Sequence, residues 1–398
     1  MKSTVFLCSL VLLLLGVTGC VSSTKIASGV AEVFNIDSPG AEDLLKLSDY
    51  CESATVVPLE TSADCLLSEI KKVEVDGDLI YVNDRKGESV YCFDFQGNLK
   101  NKIGHRGDGP EDFVELTSFT LDKENGLVYV YSRANDKIVV YRVNGDFMES
   151  FPSPGYYAVE IEYVDNRLFL SGINSGVGLL YNLISLDSSH KVEGVYMPEH
   201  GVSCHPVLRK AKGELYFYPN LLGDTIYVVG DNKLETAFIA DCGKHTMPDE
   251  FRERANDGRV EWPTVGIDMI KNGYILLSNL AVFDRFVFLR FDYRGQPRYG
   301  FYDRDQKTFV CTYDLNDDVS YLDLNSQHLW QTDDQVISTF DPNELDYYYN
   351  SLYSDPDYLK RMHLSQQQAD EALKLIRGLL DKTSEDANPI LIFYKVKK

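Results

Sequence analysis

The chain has 398 residues and a formal net charge of −22, from 39 lysines and arginines against 61 aspartates and glutamates. A surface this acidic repels nucleic acid and anionic lipid at long range. Neutral or cationic ligands and divalent ions are therefore the expected partners. Hydrophobic residues make up 44% of the chain and include 26 tyrosines and 20 phenylalanines, which is ample material for a core.

The first residues have the features of a signal peptide. One positive charge, Lys2, precedes an apolar run from Val5 to Val17 that is broken only by Ser9 and Gly16. This run is shorter than the about 20 apolar residues that a membrane-spanning helix needs, but it has the length of a signal-peptide core. We therefore predict that residues 1–19 are a signal peptide.

The end of this run predicts a lipid anchor. Val17-Thr18-Gly19-Cys20, an apolar residue followed by two small ones and cysteine, is an order that lipoprotein peptidases cleave before the cysteine. Cys20 would then carry two or three acyl chains, which are enough for stable attachment to a membrane. The alternative is an ordinary signal peptide with a chance cysteine. We expect an outer membrane lipoprotein, on the periplasmic face or at the cell surface, that contacts the membrane only through its anchor.

Residues 20–52 have the composition of a tether between this anchor and a folded domain. They contain Ser22-Ser23-Thr24, few aromatic residues and a break at Ser38-Pro39-Gly40. No cluster of acidic residues follows Cys20, and this leaves the periplasmic face open as the location.

A repeated unit fills the remainder of the chain. Each copy has a Gly or Asn turn, a short aromatic and β-branched strand, a polar gap and a second strand, and the sixth copy is more degenerate. Six copies begin about 40–60 residues apart, which is typical of four-stranded propeller blades. The paired strands are Gly77–Val82 with Val90–Phe95, Gly126–Val130 with Lys137–Tyr141, Asn166–Leu170 with Leu179–Tyr181, Gly213–Phe217 with Thr225–Val229, Asn272–Leu277 with Arg285–Leu289, and Asp333–Ser338 with Pro389–Tyr394.

The two ends of the chain complete each other. The sixth copy ends with Ile390–Val396 and lacks an outer strand, whereas Ser53–Glu60 is a strand without a blade. We predict that this first strand completes the last blade, because ring closure removes an open sheet edge. Pro58 would lie on an outermost strand, where a missing N–H costs least. The predicted fold is therefore all-β, a six-bladed β-propeller over residues 53–398.

Two stretches break the repeat. Ser365–Asp381 has apolar residues at helical spacing and opens with Ser365 as a candidate N-cap, which predicts a helical insertion in the sixth blade. Lys244–Pro263 is irregular and is predicted as a long loop between the fourth and fifth blades, the kind of segment that is often functional.

Five segments match a known family. They are Val56–Thr61, Leu67–Ile70, Phe93–Gly97, Ile103–Phe113 and Asn388–Lys395. In these segments the chain resembles the NHL-like six-bladed β-propeller lipoproteins of gut Gram-negative anaerobes, most of which have no assigned function. The loop of that family usually reads Gly-Pro-Gly-Glu, whereas here Glu111 follows Pro110 directly. The resemblance implies the propeller fold and, by association with neighbouring glycan-uptake genes alone, a glycan or glycopeptide ligand.

His105, Arg106, Asp108 and Glu111 are the first candidate ligand-binding residues. They lie among three glycines in the loop between blades one and two, on the face where a propeller channel usually binds ligands. The alternative is a purely structural connector, in which the glycines adopt positive φ and the charged side chains satisfy the turn backbone.

His205, Arg209 and Trp262 form a second group of candidates. They lie just before or on the predicted inner strands of later blades. A tryptophan at the channel mouth would suit stacking on a sugar face, and a tryptophan that fills the core is the alternative.

Enzymatic motifs are largely missing from the sequence. It contains no sialidase-type Ser-x-Asp-x-Gly-x-x-Trp turn, no Gly-x-Ser-x-Gly, no His-Glu-x-x-His and no phosphate loop. Asp122, Glu160 and Asp268 could lie on inner strands in the manner of the calcium ligands of six-bladed lactonases, although such spacing is ordinary in an acidic chain.

Three functions remain open at this stage. The first is a non-catalytic binding propeller for a glycan, a peptide or a partner protein. The second is a calcium-dependent hydrolase or lactonase, the only case in which we expect a cofactor. The third is an assembly scaffold of a glycan-uptake system, with Lys244–Pro263 and the C-terminal helix as its surfaces. We expect a monomer that does not bind nucleic acid.

Overall fold

Six blades, each with four antiparallel strands, surround a central axis in a computed structural model of the chain. The structure describes residues 31–40, 44–154, 157–172, 181–198, 206–219, 223–256, 262–322, 324 and 329–398, and the predicted signal peptide and Cys20 lie outside them. Within these ranges no helix is both long enough and apolar enough to cross a bilayer.

The strands follow one another in a simple order. Before the first blade lie β1 (Glu32–Asn35), β2 (Leu45–Lys46) and β3 (Cys51–Pro58). Blade one contains β4 (Ile70–Asp76), β5 (Leu79–Asp84), β6 (Val90–Asp94) and β7 (Leu99–Ile103), and blade two contains β8 (Ser118–Asp122), β9 (Leu127–Ser132), β10 (Lys137–Arg142) and β11 (Phe147–Pro152). Blade three contains β12 (Ala158–Val164), β13 (Arg167–Gly172), β14 (Tyr181–Leu186) and β15 (Val192–Pro198), and blade four contains β16 (Val207–Ala211), β17 (Glu214–Tyr218), β18 (Thr225–Val229) and β19 (Leu234–Asp241). Blade five contains β20 (Ile275–Val282), β21 (Phe286–Tyr293), β22 (Gln296–Asp303) and β23 (Thr308–Thr312); after β24 (Leu315–Asn316), blade six contains β25 (Trp330–Gln331), β26 (Gln335–Phe340), β27 (Ile390–Val396) and β3.

The core is divided among the blade interfaces. Six clusters of buried apolar side chains lie one at each junction between neighbouring blades, including the junction of blade six with blade one. The middle strands pack on both faces, and strands such as β9 are therefore buried almost throughout. The outermost strand β11 faces solvent and is largely exposed.

The predicted ring closure is confirmed. Strand β3 pairs antiparallel with β27 along its length, with Val57 opposite Leu391, and so forms the outer strand of the last blade. Its bounds are Cys51–Pro58 rather than 53–60, and Pro58 ends this outermost strand.

Two blades differ from the predicted strand pattern. In blade three, Leu179 lies outside the described residues, and the third strand runs from Tyr181 to Leu186. In blade five, Ile275–Val282 is the innermost strand and not the second one, so the prediction gave this strand the wrong position in its blade. The reason is that the turn at Gly273, which resembles the turns between first and second strands, instead ends a helix.

The segment predicted as a long loop contains helices. Residues Asp249–Asn256 form α1, Trp262–Asn272 form α2, and a 3-10 turn covers Gly243–His245. The predicted loop over Lys244–Pro263 is therefore wrong for its described part. Helix α1 is short and polar, and such a helix lacks the long apolar stripe by which a helix is recognised in sequence.

The helical insertion in blade six is confirmed and is larger than predicted. It contains α3 (Leu345–Ser354), α4 (Pro356–Arg361) and α5 (Gln366–Leu380), after a 3-10 turn at Pro342–Glu344. Helix α5 begins with a capping box, in which Ser365 and Gln368 satisfy each other's backbone N–H groups.

Residues 31–40 and 44–52 are the described part of the region predicted as a tether, and their strands pair with the propeller. Strand β1 adds in parallel to β19, the outer strand of blade four, and Phe34 is fully buried there between blades four and five. The Glu32 carboxylate lies 2.7 Å from both Arg304 and Lys307 of blade five. Strand β2 pairs in parallel with β24.

Candidate functional site

The central channel is lined by the innermost strand of each blade. Each is the first strand of its blade, and all six run along the axis in the same direction; they are β4, β8, β12, β16, β20 and β25. We call the end at which they begin the upper end, and the end at which they turn into the second strands the lower end. Helices α1 to α5 and the connections between successive blades lie at the upper end.

A buried group of side chains fills the middle of the channel. We call it the channel network; it consists of Lys72, Glu74, Thr120, Glu162 and Lys210. The Lys72 ammonium is 2.5 Å from the Glu162 carboxylate and 3.4 Å from Glu74, and Lys210 is 2.7 Å from Glu74 and 2.8 Å from Glu162. The Thr120 hydroxyl donates to Glu162.

The charges of the channel network cancel, because two lysines face two glutamates. Burial alone would raise the pKa of Glu162, but the attraction and hydrogen bonds of Lys210 and Lys72 lower it to about 2. Burial alone would lower the pKa of Lys210, but Glu162 and Glu74 hold it above its usual range. Glu162 and Lys210 therefore stay charged over the physiological pH range. The ion pairs close the channel, so that it has two separate mouths.

A second ion pair, which is partly buried, lies above the channel network. Arg209 is 3.4 Å from the Glu160 carboxylate, and it donates hydrogen bonds to the Asn279 side chain (2.7 Å) and to the backbone carbonyl of Leu280 (3.1 Å). Glu160 also accepts from the backbone N–H of Leu208 at 3.0 Å. Burial raises the pKa of Glu160 more than the neighbouring cations lower it.

At the upper end the channel opens into a cavity of about 540 Å³, which we call the upper cavity. Its volume lies within the roughly 300–1,000 Å³ range of small-molecule sites. All six blades contribute to its wall, and the lining residues include Lys71, Lys72, Asn83, Asp84, Arg85, Glu115, Thr117, Ser118, Glu160, Arg209, Ser278, Asn279 and Trp330.

Three β-bulges shape the upper cavity. The pairing of the first and second strands shifts between Ile70 and Lys72 in blade one, between Ala158 and Glu160 in blade three, and between Leu277 and Asn279 in blade five. A bulge changes the direction in which the following side chain points and is common beside binding sites. Here the residue after each bulge lines the cavity, in every second blade.

Asn83 is the buried polar group of the upper cavity whose hydrogen bonding is incomplete. It lies at the end of β5, is 1% exposed, and its side-chain oxygen accepts no hydrogen bond. A buried polar group of this kind is costly unless a partner completes it.

The lower mouth is a cavity of about 690 Å³ between the turns that join first and second strands. Its polar rim is engaged in structural contacts. Asp122 accepts hydrogen bonds from the backbone and side chain of Asn125, Asp333 accepts from the backbone of Lys212, and Gln331 bonds to both backbone groups of Val282. A groove of about 950 Å³ lies away from the channel, between blade one and the start of the helical insertion.

The four candidates of the 104–113 loop do not line the upper cavity. The loop folds over the third strand of blade two, where Tyr141 and Lys137 donate to its backbone carbonyls. His105 is mostly exposed and lies 2.8 Å from Asp112, and Arg106 donates to the carbonyl of Val114. Asp108 and Glu111 are exposed. Only the residues after this loop, 115–118, reach the cavity.

Of the second group of candidates, Arg209 lies in the site. It is on inner strand β16 and lines the upper cavity. His205 lies outside the described residues. Trp262 is the first residue of α2, so it is not on an inner strand, and its side chain is outside the description.

The three candidate calcium ligands lie in three different places. Glu160 is at the upper cavity, Asp122 is at the lower mouth, and Asp268 is on helix α2 rather than on an inner strand. Over the residues that the structure describes, no three His, Cys, Asp or Glu side chains come together as a metal site.

Sequence reasoning missed Lys72, Glu74, Glu162, Lys210 and Asn83. A signal for the first four was present, because each is a charged residue a few positions before the turn of a predicted copy, where the innermost strand of a propeller blade faces the channel. No comparable signal marks Asn83, because an asparagine at the end of a strand is ordinary.

Fold and site together define the class of protein. It is a six-bladed β-propeller whose channel is closed by buried ion pairs and opens into a polar cavity at its upper end. Residues 31–395 match the model of the family DUF4934, a domain of unknown function, and the chain belongs to that family. The match begins at residue 31, which is also the first residue that the structure describes.

Two crystal structures share the fold. A Bacteroides fragilis protein that is named as exported has 18% sequence identity and a TM-score of 0.74, over 93% of this chain and 100% of that one. A Bacteroides vulgatus member of the family DUF4221 has 10% identity and a TM-score of 0.50, over 87% of this chain and 97% of that one. No match to a curated protein was found. The relation to NHL-like propellers stays a prediction.

Proposed function

We propose that this protein is an exported, lipid-anchored binding propeller that takes its ligand at the upper cavity without chemical conversion. The ligand would be a glycan, a peptide or an exposed part of a partner protein. The observation that carries the proposal is the set of three β-bulges, which turn Lys72, Glu160 and Asn279 toward one cavity at the end of a closed channel.

Export and anchoring are supported by the N-terminal sequence and by the name of the Bacteroides fragilis protein with the same fold. The anchor would be Cys20, in the outer membrane on the periplasmic face or at the cell surface. Labelling of cells with a radioactive fatty acid tests this part. We expect label on the wild-type protein and none on Cys20→Ser, and label on both proteins would contradict the assignment.

A binding role fits the chemistry of the upper cavity better than catalysis does. The Glu160 carboxylate is held by Arg209 and a backbone N–H, and Lys72 is held in the channel network. These contacts fix the positions of both side chains, which suits recognition. A calcium-dependent hydrolase needs several oxygen ligands around one ion, and the three candidate ligands are spread over three places.

The test blocks the upper cavity and compares it with the lower mouth. Thr117 lines the upper cavity, and Lys123 lines the lower one. We would screen the wild-type protein against arrays of neutral and acidic oligosaccharides and of peptides, and measure each hit by titration calorimetry. We expect Thr117→Trp to abolish binding of the hit and Lys123→Trp to retain it, with both variants folded by circular dichroism. Binding that survives Thr117→Trp would overturn the proposal.

A further inference from the structure

The upper cavity has a pattern of charge that restricts its ligand. Four cationic side chains line it: Lys71, Lys72, Arg85 and Arg209. Each of them is paired with a carboxylate of the protein. Lys71 and Arg85 share Glu69, at 2.6 and 3.2 Å, Lys72 is paired within the channel network, and Arg209 is paired with Glu160.

These pairs work against charged ligands of either sign. An anionic ligand such as an acidic sugar would have to compete with a carboxylate that already occupies each cation, inside a chain with a net charge of −22. A cationic amine would meet a cavity wall with four cations and three carboxylates. These carboxylates are already engaged: Asp84 accepts from Ser68 and Gly87, Glu115 is paired with Arg133, and Glu160 is paired with Arg209. Displacing the carboxylate partner of Lys72 or Arg209 is expensive, because these two pairs are largely shielded from solvent and a charge would be left without compensation. The cavity therefore favours an uncharged ligand.

The hydrogen-bonding groups that remain favour a ligand rich in donors. The side-chain oxygen of Asn83 has no donor, and a carboxylate oxygen can accept more than one hydrogen bond, so Glu160 retains acceptor capacity. A neutral sugar offers a hydroxyl donor on nearly every ring carbon, whereas a peptide backbone offers only one N–H for each carbonyl. The side-chain amide of asparagine rotates over a broad range about its last torsion, so Asn83 can adjust to such a hydroxyl.

On the basis of the proposed function, we infer that the upper cavity selects neutral carbohydrate over its acidic counterpart, with the Glu160–Arg209 pair as the selectivity determinant and Asn83 as a hydrogen-bond partner of a sugar hydroxyl. Glu160 is paired with the guanidinium of Arg209, which an acidic sugar would otherwise bind.

The test compares matched ligands on matched variants. The probes are neutral hexose and N-acetylhexosamine oligosaccharides and the same oligosaccharides with a carboxylate at C6. We expect the wild-type protein to bind the neutral member at least about tenfold more tightly. In Glu160→Gln, which removes the carboxylate partner of Arg209, the acidic member should bind more tightly than in the wild type. Glu124→Gln, at the lower mouth, changes the net charge equally and should leave both affinities unchanged.

A second pair of variants tests the role of Asn83. Its substitution by alanine should weaken binding of the neutral sugar about three- to tenfold, the value of one hydrogen bond. Asn182 provides the control, because it is a buried asparagine of blade three that also has an unpaired side-chain oxygen but does not line the cavity. Asn182→Ala should not change the affinity.

The outcomes separate this inference from the proposed function. The inference would be overturned if an acidic sugar bound the wild type as tightly as its neutral counterpart. It would also be overturned if a peptide were the only ligand whose binding Thr117→Trp blocks. In both cases the binding function at the upper cavity would still stand. If Thr117→Trp blocks no ligand, the proposed function itself is wrong.

Discussion

The substitution Phe34→Ala tests whether the N-terminal strand is part of the folded unit. Phe34 is fully buried, with its ring centroid 4.8 Å from Tyr302, 5.1 Å from Phe238 and 6.2 Å from Phe309. Truncation of a phenylalanine in such a site costs about 3–5 kcal/mol, because the transfer free energy is lost and a cavity remains. We expect a decrease of that size in the free energy of unfolding. If β1 detaches before the propeller unfolds, the free energy with which β1 docks is the upper limit of this decrease.

The neighbouring residue provides the control for this measurement. Val33 is on the same strand but is 40% exposed, so Val33→Ala should change the free energy of unfolding by no more than about 0.5 kcal/mol. Urea unfolding followed by far-UV circular dichroism gives both values, and hydrogen exchange of β19 reports detachment of β1. Equal stabilities and equal exchange in the two variants would refute the docking of β1 on blade four.

Three further predictions concern the channel, a turn and pH. Glu162→Gln should destabilise the protein by about 3–5 kcal/mol, because it leaves two buried lysines undercompensated; a melting temperature equal to that of the wild type would contradict a closed channel network. Gly104→Ala should lower the melting temperature more than Gly77→Ala does, and comparison of the two melting temperatures checks this. Both residues have positive φ, but a Cβ at Gly104 would lie only 2.6 Å from a neighbouring ring, whereas one at Gly77 would meet nothing within 4 Å. Burial alone would raise the pKa of Glu32, but its two cationic partners lower it below the usual 4.5, so the stabilisation by Glu32 is present above that pH and is lost as the pH falls. Glu32→Gln should therefore reduce the loss of the free energy of unfolding on acidification. An unchanged dependence of stability on acidic pH would argue against the pairing.

The repeat and the ring closure could be predicted from the sequence because they depend on local and countable features. Each blade begins a strand pair after a turn, and the middle strands carry runs of apolar residues because both of their faces are buried. The unmatched strand ending at Pro58 and the incomplete sixth blade together required closure. Helix α5 was predictable for a similar reason, since Ser365 and the apolar spacing after it are local signals.

The tertiary structure alone decided the site. A β-bulge depends on pairing between two strands, so nothing in the run Ile70-Lys71-Lys72 predicts that Lys72 turns into the channel. The docking of β1 likewise depends on a gap between blades four and five that no local pattern describes. The pairing of Glu162 with Lys72 and Lys210 joins three blades, and the sequence separation between these residues hides it. Local propensity determined which residues form strands, whereas the long-range contacts around the channel determined which of their side chains face one another.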